Sequence, residues 1–117
     1  MTFVLAAVGV IVLLDPAVAL AHAKLMTANP APNSIVASPT IIRLVFNEEI
    51  TKQFSSFKLT DTAGDAVTIK SVPGRGDTEL QAVPAAALNS GLYTVWWTAV
   101  TSDDGHKVSG SFSFTVK

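Results

Sequence analysis

The sequence predicts an all-β fold, an antiparallel two-sheet sandwich, and three observations carry that prediction. Short segments rich in β-branched and aromatic residues alternate apolar and polar side chains with a period of two, the repeat of a strand with one buried face. Pro, Gly, Asn and Asp punctuate these segments about every 8 to 12 residues, as turns do in a sandwich of about seven strands. Between them there is no amphipathic stretch long enough for the crossover helices of a parallel sheet.

In chain order, a first strand is expected over 24–28, closed by the turn signal Asn29-Pro30-Ala31-Pro32-Asn33-Ser34. The next covers 41–46, where Ile42, Leu44 and Phe46 share the buried face, and Asn47-Glu48-Glu49 ends it. Segments 57–60 and 66–69 flank a Gly-containing connection of hairpin length. A further strand over 78–82 follows the turn Gly74-Arg75-Gly76-Asp77. Residues 84–88 suit a single helical turn, with Pro84 at the first position and Gly91 as a stop. The strongest strand signal is 93–100, with Tyr93, Val95, Trp97 and Ala99 on one face and Trp97 expected at the core centre. Gly91-Leu92-Tyr93 at its start suggests a tyrosine corner, a phenol hydroxyl returned to the backbone at a Greek-key crossing. In the terminal strand Phe112, Phe114 and Val116 alternate with Ser111, Ser113 and Thr115.

Upstream of these strands, residues 3–14 form an unbroken run of apolar and small residues, the length of a secretory core rather than a membrane span. Asp15 and Pro16 end it, and Ala19 and Ala21 stand at −3 and −1 of an A-x-A cleavage site. Residues 1–21 are therefore expected to be a signal peptide and 22–117 the mature domain, beginning at His22. No Lys or Arg precedes the apolar run, which points to a start upstream of Met1. The mature part has eight basic and eight acidic residues, so nothing in it provides the basic patch that nucleic acid or an anionic membrane would need. With no Cys in the chain, thiolate metal sites are excluded.

Two histidines remain, His22 at the expected mature terminus and His106 in the loop Ser102-Asp103-Asp104-Gly105-His106. Most loop histidines do nothing specific, and Asp-Gly is a common turn dipeptide. Yet Asp104 and His106 are separated by one glycine, so a carboxylate and an imidazole can converge on one ion. If His22 and His106 meet, the donors are the α-amine and imidazole of His22, the imidazole of His106 and the Asp104 carboxylate. Such a nitrogen-rich, sulfur-free set suits tetragonal Cu(II) and suits Cu(I) poorly. Binding would weaken below about pH 6, because the amine (ordinarily about 7.7 to 8) and the imidazoles (about 6.5) must be neutral.

The succession A-H-A-K-L, N-P-A-P-N, L-V-F-N-E-E, G-L-Y-T-V and D-D-G-H-K-V-S-G-S-F-S-F-T-V, over essentially all of 22–117, resembles the CopC family of exported copper-binding proteins. The resemblance implies a cupredoxin-like, Ig-like Greek-key sandwich or barrel and one Cu(II) per mature chain, held by His22, Asp104 and His106. It assigns Glu48 an axial or outer role, and Asp103 is the alternative to Asp104 if the loop is one residue longer than usual. It further implies a periplasmic monomer that serves copper homeostasis or resistance, with an inner-membrane CopD-type copper transporter as partner. Segment 51–56 has no Met or His, and Met26 lies in an expected strand, so no thioether Cu(I) site is expected. Two other functions fit the same residues less well. A copper monooxygenase built on an N-terminal histidine needs a broad substrate surface, for which 96 residues leave little room. A metal-free interaction module would make both histidines incidental, and the metal stoichiometry distinguishes it.

Overall fold

The computed structural model describes residues 23–117, so His22 and the signal peptide expected over 1–21 lie outside the described residues. Among the described residues there are nine strands: β1 (Leu25–Asn29), β2 (Ile35–Val36), β3 (Ile42–Phe46), β4 (Ser56–Thr60), β5 (Ala66–Val67), β6 (Ile69–Val72), β7 (Glu79–Pro84), β8 (Gly91–Val100) and β9 (Lys107–Val116). They form two sheets, β1-β3-β7-β6 and β2-β9-β8-β4-β5, antiparallel except for β2 against β9. The expected all-β sandwich is therefore what the chain adopts. No helix among the described residues is long and apolar enough to cross a membrane.

The inner faces follow the alternation in the sequence. Ile42, Leu44 and Phe46 of β3 are buried and meet Tyr93, Val95, Trp97 and Ala99 of β8, with Phe114 and Val116 of β9. Each large side chain removed from water in this way contributes roughly 1.5–3 kcal/mol before entropy is counted. Strands β8 and β9 pair without interruption from Gly91↔Val116 to Val100↔Lys107, the longest ladder in the molecule. Trp97 packs edge-on against Phe46, ring centroids 5.2 Å apart. Opposite it stands Gly110, where a Cβ would lie 2.5 Å from the indole, so only glycine admits the ring at that place. Its neighbour Trp96 faces outward, 51% exposed, and its indole N–H donates to Thr60 Oγ1 at 2.9 Å. The tyrosine corner forms as expected: Tyr93 Oη donates to the Asn89 carbonyl at 2.8 Å, and the ring stacks on Phe114.

Several elements differ from the sequence expectation. The strand expected over 66–69 is two strands. Val67 pairs with Leu59 in one sheet, the chain turns at Thr68, and Ile69 pairs with Pro84 in the other. Period-two patterning continues through such a corner, so composition does not reveal the change of sheet. No helical turn forms over 84–88. Pro84 ends β7, the Ala85 amide is taken by the Thr68 carbonyl at 3.0 Å, and the Leu88 amide by Ser38 Oγ at 2.8 Å, while Leu88 enters the core. Strand β2 and a 3-10 turn over Lys52–Phe54 add elements that the sequence pattern did not single out.

One ion pair braces the four-stranded sheet. Arg43 Nη2 donates to Glu79 Oε2 at 2.7 Å, and Glu79 Oε1 accepts from the Arg75 amide at 3.2 Å and from Gln81 Nε2 at 3.1 Å. The guanidinium foremost holds the Glu79 carboxyl down to about 2, against its desolvation.

Candidate metal centre

The loop between β8 and β9 is built on Thr101, which is fully buried although it is polar. Its amide donates to the His106 carbonyl at 3.0 Å, and its carbonyl accepts from the Gly105 amide, also at 3.0 Å. Its hydroxyl donates to Asp104 Oδ1 at 2.5 Å and accepts from the His106 amide at 3.2 Å. That amide also reaches Asp104 Oδ1 at 3.0 Å. The turn requires a left-handed residue, supplied by Gly105 at φ +70° with open space around it.

Asp104 and His106 are thus exposed side chains on a loop fixed from beneath. The Thr101 hydroxyl foremost, then the His106 amide, hold the Asp104 carboxyl below its ordinary value, so it remains an ionised acceptor. Neither of those two bonds uses Oδ2. Asp103 is exposed on the same turn, and no hydrogen bond comparable to Asp104's fixes its carboxylate.

Two neighbouring segments gather at this end. Loop 47–51 is attached to the 101–106 loop by the Ser102 amide on the Glu49 carbonyl at 3.0 Å, by the Ile50↔Thr101 bridge, and by the Thr51 amide on the Val100 carbonyl at 2.7 Å. Buried Ser55 supports it, its Oγ accepting the Val100 amide at 2.9 Å. The start of the described chain is tied to the same loop: Lys24 donates its amide to Asn47 Oδ1 at 2.7 Å and accepts from the Asn47 amide at 3.0 Å, with Ala23 buried beside them.

Glu48 is half-buried in loop 47–51. Among the described residues no three His, Cys, Asp or Glu side chains converge closely enough to hold a metal ion, so Glu48 is not gathered with Asp104 and His106 into a trio. Asp104 and His106 could supply at most two donors by themselves, so any metal site here would need others. Thr101 was not singled out from the sequence, although Thr101-x-x-Asp104 has the hydroxyl-to-carboxylate spacing of a local side-chain turn.

A two-sheet sandwich that presents an exposed Asp-x-His pair from one end-loop defines a class, the small β-sandwich domains. Within that class the chain belongs to the CopC family, for residues 25–117 match the CopC domain. It is similar to Copper resistance protein C of Pseudomonas syringae pv. tomato, 40% identical over 112 residues that cover 90% of this chain and 88% of that one. In structure it resembles PcoC, a methionine-rich copper resistance protein from Escherichia coli, with TM-score 0.76 and 38% identity over 83% of this chain and all of that one. CopC from Methylosinus trichosporium OB3b gives TM-score 0.73 at 32% identity, covering 82% and 94% of the two chains.

Proposed function

We propose that the mature chain is an exported Cu(II)-binding protein, a carrier or buffer in copper homeostasis or resistance rather than an enzyme. The observation that carries this is the loop end itself, where Asp104 and His106 stand on a locked turn that is hydrogen-bonded to loop 47–51, the loop whose Asn47 in turn bonds Lys24. The donor set consists of the α-amine and imidazole of His22, the imidazole of His106 and the carboxylate of Asp104. Glu48 sits outside this inner set, as an axial or outer group. Cleavage after Ala21 releases the amine, in the periplasm. One ion is held per chain, and the protein acts as a monomer that passes copper to an inner-membrane CopD-type transporter.

Nitrogen and hard oxygen donors without sulfur favour Cu(II) over other first-row divalent ions and over Cu(I), and the carboxylate resists reduction. The site therefore stores and delivers the oxidised ion.

A competition titration followed by EPR tests the proposal on two forms of the protein, one beginning at His22 and one with a single extra residue before it. The first is expected to bind one Cu(II) tightly with a tetragonal, nitrogen-rich spectrum, and the second at least about 10-fold more weakly. Equal binding would remove the α-amine from the site, and no binding by either would make the sandwich a metal-free interaction module.

A further inference from the structure

We infer that Thr101 is the positioning residue of this site: its buried hydroxyl claims one oxygen of Asp104, so that the carboxylate meets the ion through the other oxygen alone. The inference rests on the Cu(II) site proposed above and adds to it how one ligand is oriented.

An exposed aspartate ordinarily samples several rotamers, and a carboxylate can offer a metal one oxygen or both. Here the freedom is removed from below. A threonine hydroxyl has one proton and two acceptor positions. The proton goes to Asp104 Oδ1, 2.5 Å away, rather than to the His106 carbonyl at 3.4 Å, and an acceptor position receives the His106 amide at 3.2 Å. The backbone of Thr101 is also used at both its polar groups, by His106 and by Gly105. Complete burial, the bridge to Ile50 and the β-branched side chain leave the residue no alternative place to go. Oδ1 receives two donors, the hydroxyl and the His106 amide, which competes with any bond from Oδ1 to a cation. The same amide belongs to His106, so one hydroxyl fixes the spacing of both loop ligands. A carboxylate giving one oxygen would supply a single donor to a Cu(II) ion and leave room for nitrogen donors.

The test compares Thr101→Val, which keeps the shape and removes the hydroxyl, with Thr101→Ser, which keeps the hydroxyl, on the chain beginning at His22. Circular dichroism of the metal-free proteins establishes that each is folded. Thr101→Val is expected to lose about 10- to 100-fold in Cu(II) affinity, the usual cost of removing a group that orients a ligand. Its EPR spectrum should shift as the oxygen donor changes, while Thr101→Ser stays within a few-fold of the parent and keeps the parent spectrum. A purely structural threonine would lower the melting temperature and leave the spectrum alone, which overturns the inference. Should Thr101→Val fail to fold, infrared difference spectra of the parent, ¹³C-labelled at aspartate and assigned with Asp104→Asn, decide it. The wide carboxylate splitting of one-oxygen coordination supports the inference, and the narrow splitting of two-oxygen coordination refutes it. His106→Ala separates the two levels. If that variant binds Cu(II) as the parent does, the site proposal falls and the role of Thr101 falls with it; if it loses the ion while Thr101→Val matches the parent, the role of Thr101 alone is refuted.

Discussion

Near the start of β8 the Tyr93 hydroxyl donates to the Asn89 carbonyl at 2.8 Å, and its ring lies on Phe114 with centroids 5.8 Å apart. Just past the other end of the same strand the Thr101 hydroxyl donates to Asp104 Oδ1. Both hydroxyls fasten a loop to the sandwich, but their acceptors differ. Tyr93 meets a neutral backbone carbonyl within a packed corner, and the bond serves stability. Thr101 meets an ionised carboxylate that has a second oxygen, on a loop that also exposes an imidazole. The Tyr93 bond closes on the backbone, whereas the Thr101 bond fastens Asp104 and, through its amide, His106, the two residues proposed above as ligands. On the proposed site, structural support and metal binding would lie at opposite ends of one strand.

The largest effect that would sharpen this contrast is Phe114→Ala, because Phe114 is fully buried beneath the tyrosine corner. Urea unfolding should show a loss of about 3–5 kcal/mol. Cu(II) affinity measured on the folded protein should remain near that of the parent, and a parallel collapse of affinity would mean that the poles are not separable.

Acid should separate the poles in a different way. Copper binding is expected to fall away in mild acid, because protons compete with the ion for the donors of the proposed site. The fold loses the support of Glu79 only later. Its folded carboxyl lies at about 2 against an ordinary 4.5, so between those values the unfolded chain binds more protons. The stabilisation is complete above about pH 4.5 and disappears as pH falls through about 2. Melting temperatures measured from pH 6 to pH 2 should drop in that lower range, and Glu79→Gln should flatten the drop. Unfolding that coincides with copper release in mild acid would contradict the separation.

The smallest effect belongs to Tyr93→Phe, which removes one hydroxyl and no ring. It should cost about 1 kcal/mol, leaving the Asn89 carbonyl without its donor. In a domain of this size that lowers the melting temperature by about 4–8 °C. The Cu(II) EPR spectrum should not change, whereas the hydroxyl at the other pole should alter it.

What could be read from the sequence was what repeats along a strand. Alternation in β3, β8 and β9 gave the buried faces, and Gly-Leu-Tyr gave the corner, because each is encoded within a few neighbouring residues. The turn at Thr68 was not legible, since Val67 and Ile69 keep the same period while changing sheets. Nor was the irregular path over 84–88, where Thr68 and Ser38, distant in sequence, take amides that a helical turn would have used. At the candidate site the Asp-x-His spacing pointed to the loop, and the attachment of residues 23–24 to loop 47–51 now stands beside it as geometry. Thr101 escaped notice because a threonine at a strand end is common, and its burial depends on the bridge to Ile50.

The adjacent tryptophans give the molecule two optical populations. Trp96 lies half open on the outer sheet face with its indole N–H bonded to Thr60, while Trp97 is inside and its N–H has no hydrogen-bond partner among the described residues. Iodide should therefore quench the Trp96 emission more strongly than that of Trp97, which steady-state quenching of the two Trp→Phe variants would check. Trp97 rests on Phe46, the last residue before the 47–51 loop, so the shielded component reports on the loop pole. Light from the neighbouring residue reports on the opposite face of the same sheet.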